Sequence, residues 1–244
     1  MHRLLPHQPL TDDDAGLADA YRVPPGPFLR VNFVASLDGV VAVEGRSGGL
    51  GSPGDRRVFR TLRALADVVL VGHGTSSAEG YRPVAPASPV GRLRALLGRP
   101  VALPVAVVSR RASLDPGDPL TAGPTLLVTC AAADPDRRAA LAAAGVTVLV
   151  CGDDDVDLPA ARAALADRGL EQVLCEGGPQ LFRAALTAGA VDELDLTASP
   201  ALVGAGSRLL GDVPLPDVAR LRLVQVLEED GVLFTRYVPA PAAG

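Results

Sequence analysis

Lysine is missing altogether. All 23 basic side chains are arginine, which excludes a lysine Schiff base and the lysine of a P-loop. Cysteine is scarce: Cys130, Cys151 and Cys175 stand far apart with no CxxC pair. Each follows or ends an apolar run, the pattern of reduced, buried thiols in a cytosolic protein. The three histidines, His2, His7 and His73, are too scattered for a metal site. No run of about 18 apolar residues occurs, so no membrane span is expected. The opening "MHRLLPHQPLTDDDAG" lacks the apolar core of a signal peptide. The net charge of −5 argues against a general nucleic-acid partner, which favours a basic face.

What is present is an apolar chain of 244 residues, 48% hydrophobic, long enough for a full core. Residues 1–27, rich in Pro and Asp, read as an N-terminal extension or irregular lead-in. Residues 28–240 read as a single domain, with no repeat and no linker. Short apolar strands are expected at 28–36, 66–72, 105–110 and 125–130, with further ones at "VTVLVC" and "EQVLCEGG". Helices are expected at 55–66, at 134–145 between Asp134 and Gly145, before Gly169, and after Gly178. That alternation predicts an α/β fold with a mostly parallel sheet. The end of the chain departs from it. "LRLVQVLEEDGVLFTRYV" places Asp230-Gly231 between two strands, a hairpin signal, so the sheet is expected to be mixed.

Two glycine turns follow buried strands. In "CEGGPQLF" a strand runs into Gly177-Gly178, and Pro179 occupies the first helical turn. The helix start carries unpartnered N–H groups and a positive dipole end, suited to a phosphate. A plain strand-to-helix turn accounts for the same residues. "LVGHGTSSAEG" places Gly72, Gly74 and Thr75 after a second strand. Ligands of open parallel sheets gather at such carboxyl ends. Neither turn is the GxGxxG of a dinucleotide fold. A third region, "SLDG" followed by "GRSGGLGSPGDRR", offers Asp38 and Asp55. Asp38-Gly39 is also an ordinary turn, and Asp55 also suits a helix start. Arg56, Arg60 and Arg63 share one side of that helix by spacing, and one of them could fork onto a phosphate.

"NFVASLDG", "SPGDRRVFRTLRALADVVLVGHGT" and "VLCEGGPQLFRAALTAGAVDELDLTASPALVGAG" occur in this order. Together they resemble the pyrimidine reductase family of the RibD C-terminal type, in its stand-alone actinobacterial branch. The resemblance implies a dihydrofolate-reductase-like three-layer fold and a cytoplasmic, homodimeric enzyme. It implies NADPH as cofactor and 5-amino-6-(5-phosphoribosylamino)uracil, reduced to its ribitylamino form, as substrate. A dihydropterin is the alternative substrate, and an NADPH-binding module without catalysis is the alternative of another class. The family's positions assign cofactor contacts to Gly49, Thr75, Glu79, Glu176, Gly177, Gly178, Pro179 and Leu181, and Gly72, Gly74 and Ser109 are further cofactor candidates. The family's positions also assign substrate contacts to Ser47 and to Arg63, a phosphate or ribose partner; Asn32 and Asp55 are further substrate candidates, Asp55 as the acid that would grip a pterin ring. Asn32 stands where bifunctional members carry lysine, so Asp38 and Asp55 become the local acids that could give a proton. Ser76, Ser77, Arg110 and Arg111 are candidates for an NADPH 2′-phosphate. The zinc signature of a deaminase is absent, and no metal is expected.

Overall fold

The computed structural model describes residues 1–241. In chain order the elements are β1 (His2–Leu5), α1 (Asp14–Ala20), β2 (Phe28–Ser36), β3 (Val40–Ala42), α2 (Pro53–Leu65), β4 (Val68–Gly72), α3 (His73–Glu79) and α4 (Pro89–Leu96). Then come β5 (Val105–Val108), β6 (Thr125–Thr129), α5 (Pro135–Ala143), β7 (Thr147–Val150), α6 (Leu158–Ala166), β8 (Gln172–Cys175) and α7 (Pro179–Thr187). The chain closes with β9 (Glu193–Ser199), β10 (Ser207–Arg208), β11 (Leu221–Glu229) and β12 (Val232–Pro239).

Ten strands form one sheet in the order β1-β11-β12-β9-β2-β8-β4-β5-β6-β7. From β9 to β7 all neighbours are parallel, while β12, β11 and β1 continue antiparallel. The expected mixed sheet and C-terminal hairpin are both present. Asp230 and Gly231 take φ of 53° and 80°, the left-handed pair that a two-residue turn between right-twisted strands needs.

The sheet separates two apolar clusters, giving three layers. On one face Leu17 of α1 and Tyr21, which follows it, pack with Val58 and Leu62 of α2 and Leu141 of α5. On the other, Leu158, Ala161 and Leu165 of α6 join Leu181, Phe182 and Ala185 of α7. Strand β2 shows how the period of two sorts side chains between them. Leu29, Val31, Phe33 and Ala35 enter the second cluster. Arg30 and Asn32 point to the opposite face, where Arg30 pairs with Glu193 at 2.9 Å.

Residues 1–27 depart from the irregular lead-in expected of them. Strand β1 pairs antiparallel with β11, and α1 buries Leu17, Ala18 and Ala20. The Met1 ammonium lies 2.8 Å from Asp12 and 3.2 Å from Glu229. The abundance of Asp here reflects pairing: Asp12 bonds Arg57, Asp14 bonds Arg60, and Asp13 caps α1.

Candidate functional site

A cleft of about 690 Å³ opens where the carboxyl ends of the central strands meet the loop before α2. Its walls hold Asn32, Ser47, Asp55, Arg63, Gly74, Thr75, Glu79, Glu176, Gly178 and Pro179, residues singled out from four separate stretches of sequence. Parallel strands β4 and β8 are neighbours, so the two glycine turns that follow them stand side by side. The Gly72 N–H donates to the Gly177 carbonyl at 2.8 Å. Gly177 has φ of 82°, and a Cβ there would strike the Phe33 ring at 2.6 Å. A Cβ on Gly178 would stand 2.6 Å from the Thr75 hydroxyl. Gly178 is the N-cap of α7 and supplies no capping side chain. The first N–H groups of this helix are therefore bare at its positive end.

The wall beside these turns is a closed set of partners. Arg63 forks onto Glu176, with Nε to Oε1 and Nη2 to Oε2 both at 2.7 Å. The Tyr81 hydroxyl donates to the same carboxylate. The guanidinium carbon of Arg63 lies 4.4 Å from the Phe59 ring centre and 5.1 Å from that of Tyr81. Burial works against the Arg63 charge, but the Glu176 carboxylate outweighs it and raises the Arg63 pKa. Burial and the Glu176 charge also lift the Tyr81 phenol well above its ordinary range, so Tyr81 stays a neutral donor. The fork of Arg63 is engaged by Glu176. Arg60, on the same side of the helix by spacing, turns away from the cleft to Asp14, at 2.6 Å. Arg56 lines the cleft and is exposed, as is Arg82.

Asp55 stands in the first turn of α2, its N–H donating to the Ser52 cap at 3.0 Å. Its half-buried carboxyl faces the cleft. Burial raises its pKa, while a hydrogen bond with the Thr197 hydroxyl and the charge of Arg56 pull the other way. Asn32 lies nearby on β2, its amide reaching the Asp195 carbonyl at a long 3.4 Å.

Asp38 is elsewhere. Its carboxylate accepts from the Ser36 hydroxyl at 2.5 Å, the Gly204 N–H at 2.6 Å and the Val203 N–H at 3.2 Å. These bonds hold its pKa down at about 2, the Ser36 hydroxyl contributing most. Asp38 is a clamp between the β2–β3 turn and the loop after β9, and at neutral pH it has no proton to give. Gly49 and Leu181 do not line the cleft, and Leu181 is a core residue. The Ser109 hydroxyl accepts from the Ser113 N–H at 2.9 Å, tying its own turn. One Glu79 oxygen accepts from the Ser47 N–H at 2.8 Å, fastening the glycine loop to α3. The Ser76 hydroxyl is spent on the His73 carbonyl, while Ser77, Arg110 and Arg111 are exposed.

Tyr81, Phe59, Arg82 and Thr197 were not singled out from the sequence. Tyr81 meets Glu176 across 95 positions of chain, a pairing no local signal carries. The one available hint was the aromatic residue directly after "AEG". Among the described residues no group of His, Cys, Asp and Glu is arranged to hold a metal ion, and no helix is long and apolar enough to cross a membrane.

The profile of the RibD C-terminal domain family matches residues 27–233. The chain is 31% identical over 181 residues to the 2,5-diamino-6-ribosylamino-4(3H)-pyrimidinone 5′-phosphate reductase of Methanothermobacter thermautotrophicus, covering 73% of this chain and 80% of that protein. It is 29% identical over 215 residues to the riboflavin biosynthesis protein RibD of Bacillus amyloliquefaciens, covering 83% of this chain but 54% of that protein, so it spans about half of that relative. Among solved structures, a pyrimidine reductase-like protein from Corynebacterium diphtheriae superposes with a TM-score of 0.76 at 29% identity, over 88% of this chain and 92% of that one.

Proposed function

Because the chain belongs to the RibD C-terminal domain family, we propose that it is a reductase of a phosphorylated ribosylaminopyrimidine in riboflavin biosynthesis, with NADPH as its cofactor. The observation that carries this reading is the pair of glycine turns at the adjacent ends of β4 and β8, opening onto one cleft. The cradle fits a dinucleotide phosphate. Its helix start is uncapped, and a Cβ at Gly178 would fill it. Gly74, Thr75, Gly177, Gly178 and Pro179 would hold the cofactor there. When bound, the reduced nicotinamide supplies a hydride for C1′ of the opened ribosylamine. Arg110 and Arg111, exposed where β5 ends beside β4, would meet a 2′-phosphate.

The remaining work falls to orientation and charge. Arg63, Glu176 and Tyr81 fix the wall against which both reactants lie. Arg56 and Arg82 take the substrate phosphate in place of Arg63, because their guanidinium groups line the cleft and are exposed. Asp38 is excluded as a proton source by its three partners, and the Asn32 amide is not an acid. In this reading Asp55, the other local acid, stands at the cleft wall to pass on the proton taken up with the hydride. A dihydropterin is the second reading, and the place of Asp55 in the cleft wall favours it, since an acid there can grip a pterin ring.

The test follows the loss of reduced-nicotinamide absorbance with the two ribosylaminopyrimidine phosphates (the uracil and its 2-amino counterpart) and with dihydrofolate. Turnover of either phosphate is the expected result. Turnover of dihydrofolate alone would transfer the enzyme to pterin metabolism. NADPH binding with no turnover of any compound would leave a binding module and reject the reductase reading.

A further inference from the structure

The amino ends of the strands carry a second hollow, at the opposite end of the sheet from the cleft. Residues 22–27 join α1 to β2. Pro24, Pro25 and Pro27 have no N–H to give a strand or a helix. Gly26 takes φ of 107°, a conformation few side chains tolerate. The segment therefore arches over the starts of β2 and β8 instead of pairing. The Gln172 amide holds the arch, donating to the Pro24 and Gly26 carbonyls at 3.3 and 2.6 Å. Arg162 donates to the Pro27 carbonyl at 2.6 Å. Beneath the arch lies a cavity of about 380 Å³, a size that small-molecule sites have. Phe28, Leu62, Leu65 and Val173 give it apolar walls. Among the described residues none lines both this cavity and the cleft.

Two guanidinium groups reach the cavity from different elements, and neither is fully used. Arg30 of β2 is 5% exposed and lines it. Its Nη2 is held by the Tyr21 carbonyl at 2.8 Å and by Glu193 at 2.9 Å, and its Nε stands 3.6 Å from Asp195. Its Nη1 has no hydrogen-bond partner among the described residues. Arg99, after α4, pairs with Asp67 through Nη2, while its buried Nε has no partner. Glu171 is the one carboxylate among the described lining residues, against Arg22, Arg30 and Arg99. Behind Arg30, Arg236 joins Glu193 and Asp195 in a cluster of four charges. Burial and the Glu193 charge raise the Asp195 pKa, so its negative charge is diminished and the cluster leans positive. Unsatisfied donors and excess positive charge beside a cavity are relieved by an anion. The apolar walls favour a flat monoanion over a phosphate, whose dehydration costs more, and a planar acceptor suits a guanidinium. We propose that this cavity is a second binding site, for a small aromatic carboxylate, with its charge toward Arg30 and Arg99 and its ring against Phe28, Leu62 and Leu65. The site stands whatever compound the cleft reduces.

Calorimetric titration with benzoate, benzamide and inorganic phosphate tests this, on the unaltered protein and on Arg99→Gln and Val23→Trp. Val23 lines the cavity from the arch, so Val23→Trp fills it and leaves every charge in place. Benzoate should bind with a Kd at or below about 1 mM. Arg99→Gln should weaken it about tenfold, the effect of losing one hydrogen bond to a charged group. Val23→Trp should abolish binding. Benzamide has the same shape without the charge and should bind at least tenfold more weakly. Saturating NADPH should leave the benzoate affinity unchanged. No benzoate binding up to about 10 mM, ten times the expected Kd, overturns the proposal. Equal binding of benzamide removes the recognition of charge, and tighter binding of phosphate leaves a bare anion site; either result overturns it too. Benzoate binding that Val23→Trp leaves intact, or that NADPH displaces, puts the compound elsewhere and rejects the cavity. Should Arg99→Gln fail to fold, the benzamide comparison and Val23→Trp decide the matter without it.

Discussion

At the scale of single residues, the cleft depends on what two glycines leave out. Gly178 lies where two helix starts converge, and even a methyl group would press on the Thr75 hydroxyl at 2.6 Å. That hydroxyl and the N–H groups around it form the cradle assigned to the cofactor phosphates. Gly178→Ala should therefore weaken NADPH at least tenfold, by about 1.4 kcal/mol or more, with little change in unfolding midpoint. Fluorescence titration of the reduced nicotinamide measures it, and unchanged affinity in a folded variant would remove the cradle from the cofactor site. These glycines were legible in the sequence because strand, Gly-Gly and Pro stand within one local window. The partners of Asp38 were not legible at the same scale. An Asp-Gly after a strand looks alike whether its carboxylate is free or bound, and its partners at Val203 and Gly204 lie 165 and 166 positions away.

Elements are held in place by contacts that the sequence pattern does not announce. The alternation of strand and helix, the glycine stops and the Asp230-Gly231 hairpin all rest on signals within a few residues, and all were readable. The docking of α4 on α2 was not, because it hangs on one side chain. Arg94 is 2% exposed, and its guanidinium donates to the Arg63, Ala64, Ala66 and Pro100 carbonyls at 3.1, 3.3, 2.6 and 2.6 Å. The first three belong to the C-terminal end of α2, whose last carbonyls have no donor within the helix. Burial, with the Arg99 charge, lowers the Arg94 pKa to about 10, so it remains a cation at neutral pH, as a helix C-terminus favours. Arg94→Met keeps the aliphatic bulk and strands several buried acceptors. The expected loss is about 3 kcal/mol, visible as a lower urea midpoint at constant slope. A loss below about 0.5 kcal/mol, the range of ordinary surface changes, would show that water or the neighbouring backbone replaces the guanidinium.

At the scale of the whole molecule, the ten-stranded sheet raises the question of its edges. An unpaired strand edge is a template for another chain unless something covers it. The outer edge of β11 is covered only in part. The four-residue β1 pairs with Val226, Leu227 and Glu228, and its register does not extend to Leu221 or Leu223. Exposed apolar side chains lie on β1 and along the hairpin: Leu4, Leu5, Leu221, Leu223 and Leu233. A partly open sheet edge that carries them suits association. We take the homodimer expected from the sequence to form here, through the outer side of β11 and the adjoining hairpin face. Light scattering at micromolar concentration should then give twice the chain mass of 25.0 kDa. Leu223→Asp would bury a charge in that interface and should shift the protein to monomers without lowering its unfolding midpoint at low concentration. A monomer in the unaltered protein would reject the dimer. A dimer untouched by Leu223→Asp would move the interface away from β11, toward the opposite edge at β7.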